Sequence, residues 1–131
     1  MGKGADFLRE AGVYFIATSD NGQPQLRPFG SNMEYNGRFY FSMGRSKNVF
    51  RQMISNPKVS IAAIKANRDW IRIVGEAVLD DSDDAKNYLL EHNPRIGDIY
   101  KDNPSEIAMF YLKNATCLIN ESGKEPAQAD L

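Results

Sequence analysis

The sequence predicts an α+β domain that is predominantly antiparallel β, with small helices between the strands and a small barrel as its architecture. Segments rich in β-branched and aromatic residues are short and are separated mostly by tight turns. The helical patterns are also short, and they lack the regular strand-helix alternation of a doubly wound nucleotide-binding fold. A length of 131 residues matches one ordinary domain. We therefore expect one domain over residues 1–120, followed by a polar tail at residues 121–131.

A short helix comes first and ends at Gly12, because apolar residues recur on one helical face only up to that glycine. Residues 13–18 have the composition of a strand. A second extended stretch covers about residues 25–35, and the Asp-Asn-Gly sequence at residues 20–22 predicts the turn between them.

The Asn36-Gly37 dipeptide predicts a β-hairpin, because a type I′ turn requires positive φ at both central residues. The return strand covers residues 38–43. The hairpin register pairs Tyr35 with Arg38, Met33 with Tyr40, Ser31 with Ser42 and nominally Arg27 with Ser46. This register would bring Arg27 close to the start of the next helix.

That next helix is predicted to be short and amphipathic, with Ser46 as its N-cap and residues 56–57 as its end. Strands are predicted at residues 58–65 and 70–79, joined by a polar turn. Gly75 lies inside the second of these strands and indicates a bulge or bend.

A helix is predicted at the beginning of the last third of the chain. The acidic residues around Ser82 favour its start, and Asn93-Pro94 ends it. A loop then runs to Pro104. The remaining expected elements are a strand pair at residues 107–112 and 116–119, and a loose polar tail at residues 121–131.

The overall charge is close to balanced, with 16 Lys and Arg against 17 Asp and Glu. This balance gives no reason to expect a nucleic acid or a membrane as partner. The charges are nevertheless unevenly distributed. Residues 23–72 carry nine basic and two acidic residues, a net charge of +7, and residues 73–131 carry five and twelve, a net charge of −7.

Single residues exclude several chemistries. Cys117 is the only cysteine, which excludes an internal disulfide, a CxxC pair and a thiolate zinc cluster. We expect it to be buried in an apolar strand. His92 is the only histidine, which excludes a two-histidine metal site, and no nucleophile motif accompanies it. No catalytic residue and no metal ligand is therefore assigned. The N-terminus lacks a signal-peptide pattern and no apolar run could span a membrane, so we expect a cytoplasmic protein.

Basic residues meet where the Arg27 strand approaches the second helix. Arg45 and Lys47 lie at the helix start, where the dipole opposes each cation by about 0.3–1 kcal/mol unless an anion such as phosphate is present. Pro28 implies a strand edge or a bulge, and Gly30 allows close backbone approach to a ligand. The same residues are equally compatible with solvated surface charges and a barrel bend that needs no ligand.

Several segments, in this order and spacing, carry a family resemblance: Val-Tyr-Phe-Ile-Ala-Thr at 13–18, Leu-Arg-Pro-Phe-Gly at 26–30, Gly-Arg-Phe-Tyr-Phe-Ser at 37–42, Ser-Lys at 46–47, Asn-Pro-Lys-Val at 56–59, Trp-Ile-Arg-Ile-Val-Gly-Glu-Ala at 70–77 and Phe-Tyr-Leu at 110–112. Together they resemble the FMN-binding split-barrel superfamily typified by pyridoxamine 5′-phosphate oxidase, especially its short single-domain members. The resemblance covers about residues 7–119. It implies a six-stranded split β-barrel with small peripheral helices, which forms a homodimer with FMN at the interface.

The resemblance also implies an oxidoreductase in which FMN passes hydride or electrons between a donor, such as NAD(P)H, and a small substrate. The resemblance implies that the FMN phosphate is bound by Arg27, Ser42, Ser46 and Lys47. Arg45 is displaced by one position from the usual basic pair. The main chain of Pro28, Phe29 and Gly30 would contact the isoalloxazine, and Phe29 and Trp70 would bound the ring. Trp70 stands where the oxidase has a glutamine that contacts the flavin.

Two alternatives remain open at the level of the sequence. The first is a flavin- or haem-binding sensing module with little turnover, and the second is a nucleic-acid binder. The basic residues that would serve the second alternative are Arg45, Arg51, Lys58, Lys65 and Arg68. Trp70 also has a purely structural interpretation, as a core or interface residue of its strand.

Overall fold

A computed structural model describes residues 2–131, which form four α-helices and an open antiparallel sheet of eight strands. The helices are α1 (Lys3–Ala11), α2 (Asn48–Ser55), α3 (Asp83–His92) and α4 (Pro94–Tyr100), with a 3-10 turn at Pro104–Glu106. The strands are β1 (Tyr14–Asp20), β2 (Gln23–Phe29), β3 (Met33–Tyr35), β4 (Arg38–Gly44), β5 (Lys58–Ile64), β6 (Trp70–Leu79), β7 (Ile107–Asn120) and β8 (Ala127–Ala129). The predicted α+β, predominantly antiparallel class is confirmed.

The strands follow the order β2-β1-β5-β6-β7-β4-β3, and β8 pairs with β7 beyond this path. All the pairs are antiparallel. The sequence predicted seven strand segments and the resemblance implied six strands, whereas the sheet has eight. The extended stretch at residues 25–35 divides into β2 and β3, residues 127–129 form β8 instead of a loose tail, and the last two predicted strands are one. β8 pairs Ala129 with Cys117 and Ala127 with Ile119.

The β3–β4 hairpin is confirmed in both its turn and its register. Asn36 and Gly37 have φ angles of 54° and 73°, and Met33 pairs with Tyr40. The hydroxyl groups of Ser31 and Ser42 lie 3.2 Å apart, at the next expected pair. The register does not extend to Arg27, because β2 ends at Phe29 and Arg27 pairs with Ile16 of β1 instead.

The expected strand pair at residues 107–112 and 116–119 is wrong, because β7 is one continuous strand. Asn114, which lies between the two expected strands, has a left-handed φ of 52°. In the structure it lies near the β-bulge that shifts the β6–β7 register between Val74 and Glu76. The bulge indicated by Gly75 is therefore confirmed, and positive φ on the facing strand accommodates it without a chain reversal.

Two helix boundaries also differ from expectation. α2 begins at Asn48 with Lys47 as its N-cap, one residue later than a Ser46 cap would give. The expected loop after Asn93-Pro94 contains α4, since Asn93 ends α3 and its side chain also accepts a hydrogen bond from Ile96 N at 3.3 Å. Proline at the first helical position is compatible with a helix start, because the missing N–H would be unpaired there.

Two apolar clusters hold these elements together. The main core joins α1 and α2 to the concave sheet and contains Phe39, Phe41 and the fully buried Cys117, as expected for that cysteine. A smaller cluster lies beneath α3 and is centred on Tyr40 and Met109. None of the helices within residues 2–131 has the length and hydropathy required to cross a bilayer.

Candidate functional site

A cavity of about 610 Å³ opens between the end of β2, the end of β4 and the first turns of α2. Its lining consists of Asp20, Gln25, Arg27, Pro28, Phe29, Gly30, Ser31, Ser42, Met43, Gly44, Lys47, Asn48, Val49, Gln52 and Tyr100. The cavity therefore brings together six of the nine residues expected at the cofactor site, from Arg27 to Lys47.

The Arg27 side chain is held by three neutral groups. Its Nη1 donates to Thr18 Oγ1 at 2.8 Å and to the carbonyl oxygen of Ile16 at 3.3 Å, and its Nη2 donates to Gln52 Oε1 at 2.6 Å. Thr18 Oγ1 in turn donates to Gln52 Oε1 at 2.5 Å. The guanidinium group is thus fixed at the cavity wall before any ligand binds.

No carboxylate within residues 2–131 forms an ion pair with Arg27. The acidic residue of the cavity lining, Asp20, is bound instead by Arg51 at 3.2 Å, and this hydrogen bond lowers the pKa of Asp20. Desolvation by partial burial lowers the pKa of Arg27. A partly desolvated cation without a counter-ion is a site that favours an anionic ligand.

Lys47 lies on the same cavity, at the N-terminus of α2, with its side chain exposed. The structure thus places Arg27 and Lys47 on one cavity. They lie there although Arg27 does not pair with Ser46, as the hairpin register had predicted. No side-chain oxygen caps α2. The N–H group of Phe50 donates to the carbonyl oxygen of Lys47, which leaves the N–H groups of Asn48 and Val49 for a ligand. The two cations and the helix dipole act on the same region of the cavity.

The link between β2 and β3 forms the opposite wall. Tyr14 is buried in β1 and its hydroxyl group donates to the carbonyl oxygen of Ser31. Ser31 Oγ accepts a 2.9 Å hydrogen bond from Ser42 N. The Phe29 ring packs against the core, with its centroid 6.1 Å from that of Phe41, and the residue also lines the cavity.

Arg45 and Ser46 lie outside the cavity lining. The Arg45 guanidinium binds Asp81 and the carbonyl oxygen of Ser105, and its side chain lies over the Phe50 ring at 5.3 Å. Ser46 N donates to Glu106 Oε1 at 2.6 Å. Because α2 starts only after Lys47, Arg45 and Ser46 contact the 3-10 turn before β7 instead of lining the cavity.

Trp70 is also distant from this cavity and lies on the convex face of the sheet. It borders an apolar hollow of about 540 Å³ with Phe15 and Ile64, and the Arg72 guanidinium lies 5.1 Å from its ring centroid. A contact between Trp70 and a ligand in the Arg27 cavity would therefore require a second copy of the chain.

That convex face is largely apolar across five strands, with Arg72 as a charged residue among them. Register places Pro28, Phe15, Ala62, Arg72 and Leu118 in one row across β2, β1, β5, β6 and β7. Leu26, Ile64 and Phe15 are 68%, 62% and 45% exposed on this face. A contiguous apolar surface of this kind is typical of an interaction site rather than of a solvated surface.

Nine residues of the cavity lining were not predicted as site residues, and Gln52 and Tyr100 are two of them. Gln52 lies in the predicted amphipathic helix without an assigned role, yet it is 3% exposed. Tyr100 lay in an expected loop, whereas α4 places it at the cavity beside Gly44. His92, for which no catalytic role was expected, stacks on Tyr88 with centroids 3.9 Å apart and does not line the cavity.

An open antiparallel sheet with a basic cavity between β2, β4 and α2 places the chain among the split-barrel proteins. The family model described as pyridoxamine 5′-phosphate oxidase matches residues 2–111. A solved NimC/NimA family protein from Clostridium acetobutylicum is 34% identical, with a TM-score of 0.91 over 96% of this chain and 88% of that one. The chain therefore belongs to the pyridoxamine 5′-phosphate oxidase family.

More distant solved structures share the fold. A protein from Clostridium acetobutylicum related to general stress protein 26 of B. subtilis is 14% identical, with a TM-score of 0.70 over 95% of this chain and 94% of that one. HutZ, the haem storage protein of Vibrio cholerae, is 20% identical, with a TM-score of 0.63 over 84% of this chain and 88% of that one. Comparison with the curated proteins gave no match.

Proposed function

We propose that this chain is a cytoplasmic FMN-dependent oxidoreductase that binds the FMN phosphate with Arg27 and Lys47. The observation that carries the proposal is the Arg27 guanidinium, which is partly buried on a cavity and held by neutral groups, with no carboxylate partner among the described residues 2–131. Such a group favours a bound anion, and membership of the pyridoxamine 5′-phosphate oxidase family supports a flavin phosphate as that anion.

The residues of the cavity fit FMN at both ends. Arg27 and Lys47 offer charge to a phosphate, and the Ser42 hydroxyl and the N–H groups of Asn48 and Val49 offer hydrogen-bond donors. Pro28, Phe29 and Gly30 also line the cavity, where their main chain would face the aromatic ring system of the flavin. The volume of about 610 Å³ lies within the range of small-molecule sites. Ser46 and Arg45 would act indirectly, by fixing the loop before Lys47.

When bound, FMN supplies the hydride and electron transfer itself. The roles of the chain are to neutralise the phosphate charge, to orient the ring and to leave one side of the cavity open to a small substrate. NAD(P)H is the proposed electron donor. No side chain of the cavity is proposed as an acid or base.

We propose further that the convex apolar face pairs two copies of the chain. The exposed row from Pro28 through Phe15 to Leu118 provides a self-complementary surface for such a homodimer. Because β2 carries both Arg27 and the exposed Leu26 on opposite faces, the cavity adjoins this interface. Trp70 could then border the FMN of the partner copy.

A haem-binding module is the second candidate, because the fold is shared with the haem storage protein HutZ. The iron of haem is normally held by histidine, cysteine, methionine or tyrosine. His92 and Cys117 lie outside the cavity, and its lining offers only Met43 and Tyr100 of these ligand types. The cationic groups and sparse iron ligands favour a phosphorylated flavin over haem.

Nucleic-acid binding receives less support, because most of the basic residues considered for it have carboxylate partners. Lys65 binds Glu10 at 2.5 Å, Arg51 binds Asp20 at 3.2 Å, and Arg45 binds Asp81. Three of the five basic residues considered for that role are therefore already paired with carboxylates. A nucleic-acid backbone would have to displace these contacts.

The colour of the purified protein and the mass of its released ligand distinguish a flavin-binding protein from a haem-binding one. Protein purified without added cofactor, or mixed with FMN, should be yellow, and released ligand should have the mass of FMN. Anaerobic bleaching by NADH or NADPH would support an oxidoreductase over a flavin-binding sensor. A colourless protein that ignores FMN contradicts the proposal, and an intense haem absorption band with no flavin supports the second candidate.

A further inference from the structure

Gln52 is a buried polar side chain in the middle of α2. It is 3% exposed and lines the same cavity as Arg27. The neighbouring buried residues of the helix, Val49 and Met53, are apolar and belong to the main core. Because burial of an amide is unfavourable unless its polar atoms are bonded, an apolar residue would be the ordinary choice at this position.

The contacts of Gln52 fix which way its amide points. Its Oε1 accepts hydrogen bonds from Thr18 Oγ1 at 2.5 Å and from Arg27 Nη2 at 2.6 Å. In the reverse orientation the amide NH₂ would face the guanidinium, so that two donors would meet. The charge of Arg27 therefore sets the amide orientation.

The Nε2 atom consequently faces away from Thr18 and Arg27. It has no hydrogen-bond partner among residues 2–131. Every fully buried polar side-chain atom in those residues does have a partner, so Nε2 cannot be fully buried. Nε2 is therefore reached by solvent, and the surface that Gln52 presents to solvent is the cavity wall. Two amide N–H groups are thus available on the cavity beside the guanidinium.

We infer that Gln52 binds the anionic ligand of the cavity directly, donating from Nε2 to a phosphate oxygen while Oε1 positions the Arg27 guanidinium. This inference rests on the proposed function and adds a donor to its phosphate site. Thr18 completes a closed ring of three hydrogen bonds and acts as a positioning residue.

The neutrality of Gln52 is essential to this role. A glutamate would satisfy the same two donors, from Thr18 and Arg27, with almost the same shape. Its carboxylate would also form an ion pair with Arg27 and cancel the charge that attracts an anion. Glutamine holds the guanidinium through a hydrogen bond and leaves its positive charge free for the ligand.

The test compares FMN with riboflavin, which has the same ring but no phosphate, by fluorescence titration of the apoprotein. Gln52→Glu should weaken FMN binding at least tenfold and change riboflavin binding by less than twofold. Gln52→Met, which suits a buried helix position, should weaken FMN binding several-fold with the same selectivity. Gln23→Glu adds a carboxylate to an exposed position of β2 outside the cavity and should bind both ligands as the wild type does.

Acidic pH provides a second readout, since protonation of the introduced carboxyl group should restore part of the FMN affinity of Gln52→Glu. Unchanged FMN affinity in both Gln52 variants overturns the inference, and so does an equal loss of FMN and riboflavin binding, which would indicate a packing role. A wild-type protein that binds neither flavin contradicts the proposed function itself, before any variant is compared.

Discussion

Gly75 of β6 packs so closely against Ala115 of β7 that a methyl group on Gly75 would lie 3.3 Å from both the Cα and Cβ atoms of Ala115. The carbonyl oxygen of Lys113 would be equally near. The contact occurs at the bulge where the two strands change register. Close backbone approach, rather than an unusual φ, is therefore the reason for glycine at this position.

Gly75→Ala should lower the free energy of unfolding by about 1–3 kcal/mol, because backbone atoms on the facing strand cannot move aside as a flexible side chain can. Chemical denaturation of the apoprotein measures the change. Gly30→Ala is the matched control, since its nearest contact would be the Gly12 carbonyl oxygen at an ordinary 3.8 Å. Equal stability of both variants would show that the bulge is more adaptable than its geometry indicates.

Arg27→Ala and Lys47→Ala should each weaken FMN binding by more than about 1 kcal/mol, the usual scale of a charge-assisted hydrogen bond. Riboflavin binding should change little, because the phosphate is the group these residues address. Isothermal titration with both ligands separates the two effects. Lys113→Ala removes an exposed cation that does not line the cavity and serves as the control. If the Arg27 and Lys47 variants both retain wild-type affinity for FMN, the phosphate site lies elsewhere.

Phe15→Glu should convert a dimer into monomers by raising the dimer dissociation constant more than tenfold, because it places a charge in the centre of the convex apolar face. Analytical ultracentrifugation over a range of concentrations measures this constant. Ile99→Glu changes a residue that is 64% exposed on α4, away from that face, and should leave assembly unchanged. A wild-type protein that is monomeric at all concentrations, or a dimeric Phe15→Glu variant, would contradict the proposed interface.

Two buried tyrosines should make the protein sensitive to alkali. Burial raises the pKa of Tyr40 to about 12 and that of Tyr14 further above its usual value of 10.0. In the unfolded chain both phenols ionise near their usual value. They therefore contribute stability below pH 10 that is lost as the pH rises through the folded-state values.

We expect tyrosinate absorbance to increase in two stages, the later stage coinciding with the loss of the circular dichroism of the fold. Tyr40→Phe removes one late phenol and should move that unfolding transition to higher pH, although it also removes the 2.6 Å hydrogen bond to Asp80. Complete tyrosine ionisation while the fold is intact would contradict the assignment.

Local sequence signals predicted the parts of the fold that local interactions determine. Asn36-Gly37 gave the correct hairpin register because its turn requires positive φ whatever the surroundings. Asn114 has a similar φ, yet its strand continues, since a positive φ serves a bulge as well as a turn. The difference between the two depends on the facing strand, which the local sequence does not specify.

The cavity was predictable in its main-chain frame but not in its side-chain network. Arg27 and Lys47 were expected together, and they meet although Arg27 pairs with β1 rather than with the strand before α2. Gln52 and Tyr100 reach the cavity through the packing of α2 on β1 and through the path of α4. Neither residue lies in a short motif, and contacts between distant segments leave no local pattern in the sequence.

The position of β7 in the sheet also has a consequence for how the chain folds as it is made. β7 lies between β6 and β4, so the β3–β4 hairpin joins the rest of the sheet only through residues from 107 onward. Phe41, for example, pairs with Phe110. During translation β1, β2, β5 and β6 can pair with one another, but the β3–β4 hairpin must wait for β7 with its apolar residues uncovered. We expect this hairpin to join the sheet late in folding.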